Sequence, residues 1–245
     1  MNSTEDGMVT PTSPGDLLRW RTYALARVLE SSVGKLGPQI WRLSVQLTPD
    51  SYDIELVFET SDVPDVATEA SVEAVVEALP RRLGFRGSVT AVVIENPEFH
   101  TPVRSIVDTN YAVVFGGFRN QNIHLDGPIS GDMHPSIANQ LPIPGGVAEG
   151  DHWIDYMTVH AATAAAGDLP SSTIACGIRI DGYKMEYVFQ LSRSPSSKTY
   201  EEIEWIVDGF DDGNVIFSTL GFEVLVLDIP NLSDPTVHWI YARQQ

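Results

Sequence analysis

The hydrophobic positions of this chain change period in a repeating order. Between Leu17 and Glu30 apolar residues fall at helical spacing (Leu17, Leu18, Tyr23, Ala24, Val28, Leu29), which predicts an amphipathic helix. Trp41–Leu47 and Tyr52–Glu59 then alternate with period two around a Thr48-Pro-Asp-Ser51 turn, the pattern of paired strands. A second helix is expected next, with Val72, Val75, Val76 and Leu79 on one face and Glu69, Glu73 and Glu77 on the other. Thr90-Ala-Val-Val-Ile-Glu-Asn-Pro97 and Tyr111-Ala-Val-Val-Phe115 read as two closing strands.

The order then recurs. A helical stretch from Trp153 to Ala166, pairing with Leu17 to Glu30, precedes strands Ile174–Ile180 and Tyr183–Leu191, joined by the hairpin dipeptide Asp181-Gly182. Thr199-Tyr-Glu-Glu202 reads as a capping box opening a helix whose core face is Ile203, Ile206, Val207 and Phe210, with Gly209 or Gly213 to end it. Glu223–Pro230, set against Thr90–Pro97 at an offset of 133, and Val237–Tyr241, set against Tyr111–Phe115, complete the second unit.

Sliding Tyr52–Leu79 onto Tyr183–Phe210 gives 9 identities in 28 positions without a gap, where chance supplies roughly 2. The expected fold is therefore α+β, a tandem duplication of an α-β-β-α-β-β unit with helices packed on mainly antiparallel sheets, each copy burying its own core. The boundaries read as a mobile tail at 1–14, a first copy at 15–117, a loop-rich linker at 118–150 and a second copy at 151–245.

Charge narrows the partners. The 245 residues carry a formal net charge of −18, with 15 Lys+Arg against 33 Asp+Glu. Such a surface repels phosphate backbones and anionic headgroups, so neither nucleic acid nor membrane is expected as a partner. The start of the chain lacks the basic and apolar regions of an export signal, no apolar run reaches spanning length, and cysteine occurs once. A cytoplasmic location is expected, with Cys176 a small buried residue.

No catalytic signature is present, so the chain reads as a non-enzyme without cofactor or metal. His124, Asp126, Asp132, His134, Asp151 and His152 cluster in the linker, and a metal-dependent enzyme built there is the alternative from another class, but they lack a recognised ligand spacing. Gly116-Gly117 and Gly145-Gly146 are not followed by the Lys and helix of a phosphate loop, and neither Ser105 nor Ser130 sits in a nucleophile elbow. Arg81, Arg82 and Arg86 form a basic cluster suited to the C-terminal end of the acidic helix.

The acidic helices carry the remaining signal. Glu201, Glu204, Asp208, Asp211 and Asp212 accumulate along and after the second copy's helix. Like charges at this spacing weaken a helix, and the dipole disfavours anions at its C-terminal end. Trp205 stands among them where the first copy has Ala74; it belongs either to the core or to an interface. These six residues form the expected partner-binding site.

Asp234-Pro-Thr-Val-His-Trp-Ile-Tyr-Ala-Arg243, with Tyr183-x-x-Glu186-x-x-Phe189 and the acidic helix Tyr200–Phe210, resembles immunity proteins of bacterial polymorphic-toxin systems. The first copy, with Asn110-Tyr111-Ala-Val-Val-Phe115, lacks the Trp and terminal Arg of that pattern. The resemblance implies a cytoplasmic, non-catalytic protein that neutralises a cognate basic toxin domain by direct binding. The charge agrees, since 151–245 sums to −9 and 15–117 to −5. A secretion-type chaperone for an effector is the alternative among binding proteins, and an exposed apolar groove for an extended peptide would favour it.

Overall fold

The computed structural model describes residues 14–48, 51–83, 87–96, 111–116, 151–182, 184–210 and 219–243. In chain order these form α1 (Pro14–Ser32), β1 (Ile40–Thr48), β2 (Asp53–Thr60), α2 (Val66–Leu83), β3 (Val89–Glu95) and β4 (Tyr111–Gly116). The second half continues with α3 (Asp151–Ala165), β5 (Thr173–Asp181), β6 (Lys184–Leu191), α4 (Ser197–Phe210), β7 (Thr219–Val226) and β8 (Val237–Ala242). The linker at 118–150 and residues 1–13 lie outside the described residues.

The fold is α+β, with four helices and two four-stranded sheets among the described residues, ordered β3-β2-β1-β4 and β7-β6-β5-β8. Both sheets are mixed. The hairpins β1–β2 and β5–β6 are antiparallel, as are β1–β4 and β5–β8, but β3 and β7 return parallel to β2 and β6. A parallel return needs a long crossover, which α2 and α4 provide.

Register agrees between the halves in detail. The ladder shifts at Ile40/Arg42 and Leu43/Ser44, and again at Thr173/Ala175 and Cys176/Gly177. Helices α1 and α3 are both followed by a glycine in the left-handed region, Gly34 (φ 72) and Gly167 (φ 86), the usual way to turn the chain out of a helix. Those turns align Trp20 with Trp153 and Tyr23 with Tyr156, so the pairing of Leu17–Glu30 with Trp153–Ala166 expected from sequence is three residues out of step. The third strand also needs correction. Val89 lies beside Ile54 and Leu220 beside Met185, which matches Thr90 with Gly221 rather than with Glu223. A slip of two residues keeps every side chain on its face, so alternation alone could not detect it. Tyr111–Phe115 and Val237–Tyr241 do stand at matching places against β1 and β5.

Separate cores were expected; instead one contiguous cluster runs through both halves. It joins Trp20, Val28, Leu43 and Phe58 to Met157, Ile178, Tyr187 and Phe210. The reason lies in α3, where Trp153, Asp155, Tyr156, Met157 and Thr158 are all buried. An arc that wide cannot be covered by one sheet, and α1 packs against it. Arg27 of α1 bonds Asp155 of α3, and Gly34 N donates to Ala242 O across the halves at 3.1 Å.

On the sheet face away from the helices the halves solve the same problem differently. Arg42 pairs with Glu59 at 2.7 Å, both buried, and Asn96 Nδ2 donates to the same carboxylate oxygen at 2.6 Å. The corresponding residues are Ala175 and Gln190. Gln190 Nε2 donates to Asn231 O at 2.6 Å, and Gln190 Oε1 accepts from Asn231 N at 2.7 Å. This clamp and the Arg179–Asp234 contact of 3.1 Å pin the Leu227–Thr236 strap that joins β7 to β8 on opposite edges of the sheet.

Candidate protein-binding face

Helix α4 begins earlier than its expected capping box. Ser196 is the cap, its Oγ accepting from Thr199 N at 3.2 Å, and Thr199 occupies the third helical position. From that start, 100° per residue carries Ile203, Ile206, Val207 and Phe210 onto the core, where all four are buried. The same rotation turns Glu201, Glu204, Trp205 and Asp208 outward, and each is exposed. Trp205 is 65% exposed, which decides between the two readings of this residue: it is not a core side chain. Glu202 is half-buried, with Lys198 Nζ at 4.0 Å. Asp211 and Asp212 lie outside the described residues.

The structure adds aromatics that sequence reading missed. Tyr200, one residue before the acidic stripe, is 42% exposed, and its ring centroid lies 6.4 Å from that of Phe222 on β7. Tyr200 thus leans from helix α4 onto strand β7. The corrected register shows how special this is. Where the second half has Tyr200, Trp205 and Phe222, the first has Glu69, Ala74 and Ala91. Helix α2 shares the acidic face, with Glu69, Glu73 and Glu77 exposed and Val72, Val75 and Leu79 buried, but it carries no aromatic. Lys35 Nζ donates to Ala74 O at 3.4 Å, over the place that Trp205 holds in α4. Residue-by-residue comparison of the halves was the available signal: Tyr200 aligns with Glu69 within the ungapped block, whereas Phe222 meets Ala91 only in the corrected register.

Other candidates fall elsewhere. Cys176 is fully buried, and burial pushes its thiol pKa up, away from nucleophilic use. His124, Asp126, Asp132 and His134 lie outside the described residues, and of Asp151 and His152 only the helical backbone is described. Among the described residues no three His, Cys, Asp or Glu side chains are placed to hold a metal ion. Arg81 and Arg82 fall in the last turn of α2, while Arg86 lies outside the described residues. Arg179 gathers Glu186, Glu223 and Asp234 at 2.8, 2.6 and 3.1 Å on the outer sheet face, a structural hub that fastens β5, β6, β7 and the strap.

No family model, no curated protein and no solved structure matches this chain. No helix among the described residues is long and apolar enough to cross a membrane.

Proposed function

We propose that the chain is a cytoplasmic, non-catalytic immunity-type protein that neutralises a basic toxin domain by direct binding through the outer face of α4. The observation that carries this reading is Trp205, a large aromatic held 65% exposed between Glu204 and Asp208. Leaving so much apolar surface in water is costly unless a partner covers it. Tryptophan and tyrosine are the residues that anchor interfaces, and surrounding acids steer a cationic partner into encounter. The net charge of −18 favours a basic protein over nucleic acid or an anionic membrane.

A tandem duplication belongs to the same proposal. Matching element order, ladder shifts and helix-ending glycines support it. In this view a duplicated scaffold kept two acidic helices and armed one of them with aromatics. The test is Trp205→Ala. Because the side chain is exposed, folding stability should change by no more than about 0.5 kcal/mol. Affinity for the cognate basic toxin domain should fall by about 2 kcal/mol or more, as for an interface anchor. Full affinity in a folded variant would remove α4 from the interface.

A secretion-type chaperone is the second reading. The feature favouring it is an open groove of about 640 Å³ lined by Leu227–Ser233, beside exposed Ile229. A partner bound only as an unfolded segment, and not as a folded toxin domain, would select that reading.

A further inference from the structure

We infer that the outer edge of β7 takes up an extended, cationic segment of the partner as an added strand, with Tyr200 and Phe222 as its seat; this rests on the proposed basic partner of α4. Strand β7 ends its sheet, and among the described residues no strand pairs with its outer side. Its sequence, Thr-Leu-Gly-Phe-Glu-Val-Leu-Val, has no proline and no lysine, the devices by which edge strands usually repel a further strand. Its one charge, Glu223, is engaged by Arg179 at 2.6 Å and so does not guard the edge. An unguarded edge is a template for main-chain pairing.

What the edge adjoins decides the occupant. A strand added there would place alternate side chains on the helix side of the sheet, the side to which Leu220, Phe222 and Val224 contribute. There Tyr200 leans on Phe222, while Glu201, the next residue, and Glu204, one turn on, are exposed. Apolar residues of the added strand would meet the aromatics, and long cationic ones would reach the carboxylates. At the C-terminal end of β7, exposed Val226 leads into the groove at Leu227–Ser233, which would seat a terminal apolar residue. The first half offers β3 as a comparable edge, but Ala91 and Glu69 replace the two aromatics. A second copy of this chain is the less suitable occupant, because it would bring its own −18 to the same acidic surface.

The experiment uses the full chain and two synthetic peptides of ten residues in which lysine and valine take turns at every second position, with threonine between, so that both kinds share the helix-side face. One has an ordinary backbone. The other is N-methylated at consecutive central residues, which removes donors from both its edges and leaves its charge unchanged. Calorimetric titration gives affinity, and amide hydrogen exchange reports on 219–226. The ordinary peptide should bind and slow exchange along β7. The methylated one should bind about tenfold to a hundredfold more weakly, as a few lost backbone hydrogen bonds imply. Equal binding of both peptides, binding without protection of β7, or no binding of either would overturn strand addition. Protection of β7 in a dimer of the chain alone would overturn it in favour of self-pairing. The double reversal Glu204→Lys with Asp208→Lys separates the two proposals. If it leaves peptide affinity intact while methylation still weakens binding about tenfold or more, strand addition stands, but the carboxylates of α4 neither select a cationic strand nor face the partner.

Discussion

Arg42 and Glu59 offer a quantitative test of the fold, because the second half holds an uncharged solution at the same two positions. Both side chains are buried, 2.7 Å apart, with Asn96 as a further donor to Glu59. Arg42→Met keeps most of the side-chain volume but strands a carboxylate in the sheet with the Asn96 amide beside it. Removing one member of a buried pair typically costs about 3–5 kcal/mol. Against a total stability of about 5–15 kcal/mol, that is a large fraction. Arg42→Met combined with Glu59→Gln abolishes both charges and installs the glutamine that stands at 190 in the other half. Burying an amide is far cheaper than burying a lone carboxylate, so the double variant should recover more than half of the loss. Urea unfolding of wild type, both single variants and the double variant gives the coupling, provided the slope m stays constant. A favourable coupling of about 2 kcal/mol or more is expected. If Arg42→Met costs under about 1 kcal/mol, or the double variant is as unstable as the single, Glu59 is reached by water and the described packing of this face is wrong.

Two further outcomes follow from the geometry. Gly177→Ala should destabilise by about 1–3 kcal/mol, since an added Cβ would lie 2.6 Å from Val237 Cγ1 and 2.9 Å from His238 O; Gly221→Ala, with open space around it, should cost far less by the same thermal unfolding assay. Hydrogen bonds from Ser51 and Ser88 hold the Asp53 carboxyl down to about 2, and those from Thr68 lower Asp65. A carboxylate lowered on folding stabilises above its unfolded value of about 4 and loses that contribution as pH falls through the folded value. Stability should therefore decline between about pH 4 and pH 2, and Asp53→Asn should flatten that decline in a pH series of urea midpoints; an unchanged slope would contradict the assigned bonds.

Periodicity made most of the fold legible. Among the described residues each half shows two helices and four strands in the expected order, because burial of one face imposes the 3.6- and 2-residue repeats directly on the sequence. Three features were not legible, for physical reasons. The parallel return of β3 and β7 depends on which edge a crossover reaches, and strand alternation is indifferent to that. The three-residue offset between α1 and α3 was hidden because nearly one helical turn returns apolar positions to the same face; only Gly34 and Gly167 mark the true frame. The shared core could not be read from either half alone, since it arises from the meeting of α1 and α3. At the candidate site the acids Glu201, Glu204 and Asp208 and the aromatic Trp205 were visible as a pattern, but its exposure was not. A tryptophan at that spacing suits a core or a surface equally until the neighbouring helices are placed. Tyr200 and Phe222 went unnoticed because their contact joins residues on different elements.

Charge reversal on α4 gives a direct test of the proposed docking of a basic protein there. Glu204→Lys with Asp208→Lys changes two exposed side chains in the second half, and Glu73→Lys with Glu77→Lys makes the matching change on α2. Surface plasmon resonance of each variant against the proposed basic toxin domain, at two salt concentrations, separates steering from contact. The account predicts slower association and a flatter salt dependence for the α4 variant, with a smaller effect from α2, because rim charges act mainly on encounter. Unchanged kinetics in a folded α4 variant, or an equal loss from both variants, would contradict it.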